Sequence, residues 1–439
     1  MPRSSFAYRL VAALACFWIF FSVTRHVIYT TQVPEHLISH PNGFRPDDVM
    51  LIMKSGRDVL RERLPPQLET FASTKEGRNI KNSIIISDYA TKIGNYDVVD
   101  IVSHLKDDPA VNTTKKYQVY LDVHDRLKAH GEEPQWGKAP GTNDEGWSVD
   151  AMKNIPGYLY AWETYKAKWY FGIDDDTYVI WPSVYELLSL LDPDKKSYIG
   201  SANILLVNNA EFMHGGTGII ISRAAMKERF ETQKDGLYKF NKHAAELCCG
   251  DAVLGMAMVD AGVKGWRAFE TYFHGSHIEN MVFSADRVCS PMLGLHHITP
   301  SAMRFLHDRL HGRGIMTWAD VFLRVAPETL AAPALLERLN WDFIRSDDQN
   351  DKTSVKFTNE KTTAVCRATC EQNSNSCLGW SFDVQSKACL LSSKISPGKE
   401  RTGFVSGINM DRLAQLQGEC AKPEKDWRQY VLEQDRKHS

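Results

Sequence analysis

Apolar residues along this chain arrive in two rhythms. Short unbroken runs, Val49-Met50-Leu51-Ile52-Met53, Ile84-Ile85-Ile86 and Trp169-Tyr170-Phe171-Gly172-Ile173, have the content of buried strands. Helical spacing occupies Tyr117–Ala129, Ala151–Lys166 (interrupted early by Pro156), Ser183–Leu191 and Asp251–Ala261. The amphipathic segment after the first run is expected to stop at Pro65-Pro66. Further strands are expected near Tyr198–Gly200, from the glycine turn Gly215-Gly216 to Ser222, and over Ala268–Phe273. Strands alternating with helices predict an α/β domain with a largely parallel sheet and functional loops at the strand ends.

The alternation begins near Asp47. Residues 25–46 contain Pro34, Pro41 and Pro46 without periodicity and read as a stem. Before them, Leu10 to Val23 is uncharged, with Arg3 and Arg9 on one side and Arg25 on the other. Bulky Trp18, Phe20 and Phe21 stand where a small-residue cleavage site is needed. Residues 10–24 therefore read as an uncleaved signal anchor, with a cleaved signal peptide as the alternative, residues 1–9 as a cytoplasmic tail and the body as lumenal. That is the expected topology of a single-pass type II membrane protein, with the Golgi or ER as its expected membrane. Residues 131–146 are rich in Gly, Pro and acids and are a lid candidate. From about residue 336 to 425 the chain turns polar and Cys-dense, as expected of a small separate module, and residues 426–439 read as a charged, frayed tail.

Net charge of −2 and a pI near 6.7 leave no field to recruit nucleic acid. Four of the nine cysteines, Cys366, Cys370, Cys377 and Cys389, lack both a companion His and CxxC spacing, so disulfides in an oxidising compartment are the better reading than zinc. Asn112-Thr113-Thr114 is a glycosylation sequon, which suits a lumenal surface.

The sharpest chemical signal is Asp174-Asp175-Asp176 at the end of an apolar strand. Adjacent carboxylates beside buried strands need a compensating cation, and a hard divalent ion such as Mn²⁺ or Mg²⁺ supplies it. In an extended segment Asp174 and Asp176 share one face and Asp175 takes the other, where it could reach a sugar hydroxyl. Asp251 opens a helix after Cys249-Gly250, as either a helix cap or a rigidly held general base. His274 and His277 follow an expected strand and are candidate imidazole ligands, while His296-His297 is the weaker pair.

Taken in order, these segments resemble glycosyltransferase family 31, in its Fringe-like, fungal branch. The matching segments are Met53-Lys54-Ser55 with Arg61 to Thr70, Ile85 to Asp88, Gly146 to Pro156, Trp169 to Val179, Gly215 to Arg223, Cys249 to Gly255 and Phe273 to Asn280. The resemblance implies a GT-A nucleotide-sugar-binding (Rossmann-like) fold over residues 47–335, a UDP-sugar donor, a divalent metal and inversion at the anomeric carbon. It makes Asp251 the catalytic base. It assigns the metal to Asp174, Asp176 and His277, with His274 as the alternative. It puts Lys54, Ser55, Asp88, Asp150, Lys153, Asp174, Asp175, Gly215 and Gly216 around the donor. The chain departs from the pattern at Gly250, where relatives often carry a second acid, and at Gly275, an extra residue between the two histidines. The acceptor would be a hydroxyl of a glycan or glycoconjugate. The competing reading is a non-catalytic carbohydrate- or protein-binding membrane protein, with a decayed GT-A domain and a lectin-like C-terminal module.

The Cys-dense module resembles a PAN/Apple domain in Cys366-x3-Cys370, Cys377-Leu-Gly-Trp380-Ser-Phe382 and Cys389. That resemblance implies the pairs Cys366–Cys389 and Cys370–Cys377, with Trp380 and Phe382 packed over them. Complete pairing of the remaining cysteines requires Cys420 to bond outside its module.

Overall fold

A computed structural model of the chain describes residues 43–73, 82–129, 149–205, 209–325, 337–344, 355–358, 362–373, 376–422 and 426–438. The signal-anchor segment, most of the stem and the lid candidate 131–146 lie outside them. No described helix is long and apolar enough to cross a membrane.

Thirteen described strands precede the Cys-dense region. In chain order they are β1 (Val49–Lys54), β2 (Ser83–Ser87), β3 (Thr91–Ile93), β4 (Tyr96–Asp100), β5 (Trp169–Asp174), β6 (Tyr178–Val179) and β7 (Tyr198–Ile199). They continue as β8 (Ala202–Leu205), β9 (Ala210–Met213), β10 (Ile219–Ser222), β11 (Phe273–His274), β12 (Phe283–Ser284) and β13 (Gly294–Leu295).

Seven of them make the main sheet, in the order β3-β4-β2-β1-β5-β10-β7. The centre is parallel: β1 pairs with β2 and β5, and β2 with β4. The flanks are antiparallel, at β10 with β5 and β7 and at β3 with β4. The sheet is thus mixed rather than largely parallel. A two-residue turn joins β3 to β4, too short for the crossover that a parallel pair needs. At the other flank β10 starts beside Gly172, near the end of β5, and runs back along it.

Residues along the central strands alternate between two cores, as the two-residue period of a strand demands. Met50, Ile52, Tyr170, Ile219 and Ile221 face one; Val49, Leu51, Met53, Trp169, Phe171, Ile173 and Ile220 face the other. The first core is closed by helices Lys115–Ala129, Asn154–Thr164 and Gly250–Asp260, the second by Leu60–Ser73 and Trp181–Leu190.

Four local expectations are corrected. Helix Leu60–Ser73 runs through Pro65 and Pro66 instead of stopping there. Interior proline costs about 3 kcal/mol, but burying one leucine recovers about 1.5–3. Leu60, Leu64, Leu68 and Phe71 form one buried stripe that outweighs the prolines. Residues 267–272 wind as a 3-10 turn that buries Phe269 and Tyr272 at its three-residue period, leaving only β11 as strand. The terminal segment is not frayed. Trp427–Lys437 is a helix that buries Trp427 and Val431 in the second core and pairs Arg428 with Glu186 and Asp435 with Lys195. Phe44, placed in the stem by sequence, is buried against the Tyr185 ring.

The Cys-dense region adds β14 (Glu337–Asp342), β15 (Val355–Thr358), β16 (Gly379–Asp383), β17 (Ala388–Ser392), β18 (Lys394–Ile395) and β19 (Lys399–Ile408). Five of these form an antiparallel sheet in the order β14-β19-β16-β17-β15. Helix Thr363–Gln372 packs on it, and bridges Cys366–Cys389 and Cys370–Cys377 cluster with Trp380 and Phe382. The region interlocks with the rest of the chain. Strand β12 pairs with β18, Cys420 bonds Cys289, and one core runs from Tyr178 and Trp318 to Phe343 and Leu413. Cys248 and Cys249, adjacent in sequence, bond each other.

Candidate active site

Parallel strands end at a common edge, and here that edge collects charge. Lys54 ends β1 in register with Asp174 at the end of β5, and Asp88 follows β2. Helix Asn154–Thr164 brings a second cation, Lys153, from the position just before its first turn.

Lys153 is 1% exposed. Its ammonium meets Asp88 at 2.9 Å, Asp150 at 3.3 Å and the Ser55 carbonyl at 3.0 Å. Lys54 bonds Asp150 at 2.6 Å and approaches Asp174 at 3.4 Å. Burial pushes the Asp150 carboxyl up, but Lys54 and Lys153 outweigh it and hold the group down at about 2. Burial lifts Asp174 to about 6 against the pull of Lys54. Removing one partner of a buried ion pair leaves a buried charge uncompensated and costs about 3–5 kcal/mol. Lys153→Met is therefore expected to lower stability by about that much, read as a shift in the urea midpoint; an unchanged midpoint would show the pair to be dispensable.

The aspartate triplet divides its duties. Asp175 is buried, with one oxygen accepting from Ser55 Oγ at 2.6 Å and the other facing Arg63 Nη1 at 3.2 Å. Arg63 also reaches Asp176 Oδ2 at 3.1 Å. The other oxygen of Asp176 lies 3.2 Å from His296 Nε2. Strand β13 produces that contact by pairing with β6, which sets the histidines after β13 beside the triplet before β6.

Asp176, His296 and His297 form the one group among the described residues whose ligand atoms could hold a metal, all lying within 4.8 Å of one another. The donor set fits a divalent ion. Ligands at right angles on bonds of about 2.1 Å lie about 3 Å apart, close to the Asp176–His296 spacing. His296 Nδ1 is buried with no hydrogen-bond partner among the described residues. Burial, and then the neighbouring His296, hold the His297 imidazole down at about 4, so at neutral pH its ring is uncharged and can offer a lone pair. His297 also has a positive φ of 57°, a strained backbone of the kind that clusters at functional sites. Even counting Lys54, Lys153 and Arg63, the carboxylates of Asp88, Asp150, Asp174, Asp175, Asp176 and Asp251 leave negative charge in excess.

Of the residues that the family resemblance assigns to the metal, Asp176 alone is in this group, and the group's histidines are the pair rated weaker from sequence. Asp174 faces Lys54 instead. His277 is exposed, with its ring stacked on His297 at 4.7 Å. His274 is buried, its Nε2 3.0 Å from the His277 carbonyl. Arg63 and His296 are the residues that sequence reasoning underweighted. The available signal for His296 was an apolar run, Leu293-Gly294-Leu295, ending directly in two histidines.

Asp251 lies in the first turn of helix Gly250–Asp260. Its carboxylate accepts from the Gly215 N–H at 2.8 Å and from its neighbour Ala252 N–H at 2.9 Å. Gly215 belongs to a connector between β9 and β10 that joins this carboxylate to the metal-capable group. A Cβ on Gly215 would stand 3.3 Å from Asp251, and one on Gly216 would collide with the His296 ring. The Gly216 carbonyl accepts from Thr177 Oγ1, next to the triplet. Asn112 lies apart from all of this, on a turn before helix Lys115–Ala129, its amide donating to the Lys106 carbonyl.

A family model described as Fringe-like matches residues 111–292. A curated relative, glycoprotein-N-acetylgalactosamine 3-beta-galactosyltransferase 1 of Xenopus laevis, is 26% identical over 195 residues, covering 38% of this chain and 54% of that protein. The chain thus matches about half the length of this relative. The matched segment contains the aspartate triplet, the glycine connector and Asp251, and over residues 111–292 the chain is similar to Fringe-like glycosyltransferases.

Proposed function

We propose that the chain is a metal-dependent, inverting glycosyltransferase that moves a hexose from a UDP-sugar to a hydroxyl of a glycan or glycoconjugate. The observation carrying this reading is the short connector that links Asp251 to the Asp176–His296–His297 group. Transfer needs a base at the acceptor and positive charge at the departing diphosphate, held close together. Asp251, fixed by two N–H donors, takes the proton of the attacking hydroxyl. Lys54, at the end of β1, offers a cation to the diphosphate, held in place by Asp150, which is itself bonded to Lys153 and through it to Asp88. Asp176, His296 and His297 would hold Mn²⁺ or Mg²⁺, which when bound supplies Lewis-acid charge neutralisation at the leaving group.

The five-stranded, disulfide-bonded region is proposed as a PAN/Apple-like module that docks acceptor or partner. Segment 10–24 is proposed as the tether that keeps the body in the Golgi or ER lumen, with Asn112 glycosylated. The reading is tested by Mn²⁺-dependent UDP release from UDP-galactose, UDP-glucose and UDP-N-acetylglucosamine. Release from one donor, abolished by chelation, is expected. Donor binding without release under any acceptor condition would favour a binding protein instead.

A further inference from the structure

One side chain on the connector has no part in the proposed reaction. His214 is fixed through its backbone: its N–H donates to the Ser201 carbonyl at 2.8 Å, and its carbonyl accepts from Thr217 Oγ1 at 2.9 Å. The ring is partly buried and lies edge-on to His296, with centroids 5.0 Å apart. It is near enough to Asp251, Lys54 and Asp176 to interact electrostatically with each. Those residues belong to the proposed base, the proposed diphosphate-binding lysine and the metal-capable group, between which the proposed reaction places the transferred sugar. Gly215 and Gly216 carry no side chain, so His214 is the residue just before them whose ring stands beside the metal-capable group.

We propose that His214 hydrogen-bonds a hydroxyl of the transferred hexose and helps to select which hexose is accepted. This rests on the reading of the site as a UDP-sugar site. A neutral imidazole has one donor and one acceptor, matching a hydroxyl that can play either part. A site built to bond a substrate hydroxyl discriminates strongly against a sugar that misplaces it.

The test compares wild type with His214→Ala and His214→Asn in the full chain. It measures kcat/KM for UDP-galactose, UDP-glucose and UDP-N-acetylglucosamine, the inhibition constant of UDP, and Mn²⁺ affinity. The expected result is a loss of about 10- to 100-fold for the preferred donor with a flattened preference, while UDP and Mn²⁺ affinities stay unchanged. A fall in UDP or Mn²⁺ affinity in step with the donor would assign His214 to packing against His296 and overturn the proposal. So would an unchanged donor preference. Failure of the wild type to bind UDP at all would instead overturn the UDP-sugar reading, and His214 with it.

Discussion

Asp251→Asn is expected to abolish transfer, lowering kcat by about 10²- to 10⁴-fold, the range that a positioned base contributes. Asparagine keeps the size of the side chain and an oxygen able to accept from the Gly215 N–H, now made at 2.8 Å. The helix start and the connector are therefore preserved, and only the proton acceptor is lost. Mn²⁺ and UDP binding are expected to remain near wild type, because the metal-capable group consists of other side chains. Parallel measurements of kcat and of Mn²⁺ and UDP affinity check this. A transfer rate within about tenfold of wild type, no more than about 1.4 kcal/mol on the barrier, would remove Asp251 from the role of base.

What the sequence made legible was local. The apolar runs of β1, β2 and β5 are long and uniform enough that period alone locates them, and the triplet is conspicuous because three carboxylates follow such a run. Less legible were features decided by tertiary pairing. Helix Leu60–Ser73 overrides its own prolines because its buried stripe is worth more than they cost, and that stripe is valuable only against the sheet. The same holds at the site. His277 sits in a suggestive local motif, whereas His296 reaches Asp176 through the pairing of β13 with β6, which joins residues far apart in sequence. Arg63 is likewise brought to the triplet from a helix far upstream. Sequence spacing does not encode such distances.

The two candidate histidine sets predict different losses of metal. Asp176→Asn or His296→Ala is expected to weaken Mn²⁺ binding by more than about 100-fold, beyond the roughly 10- to 100-fold typical of an outer partner. His277→Ala, which removes a ring stacked on His297, is expected to stay within that outer-partner range. Titration of Mn²⁺ followed by electron paramagnetic resonance reads the affinity without requiring turnover. Asp176 is the more informative substitution because its two oxygens are committed in opposite directions, one to Arg63 and one toward His296. Asparagine can still accept from Arg63 but cannot also present a charged oxygen to an ion. If His277→Ala proved as damaging as His296→Ala, the ion would have to sit nearer the stacked pair His277–His297 than the Asp176–His296 edge. Equal, small effects of all three would place the bound ion on other carboxylates of the site and remove Asp176 and His296 from the ligand set.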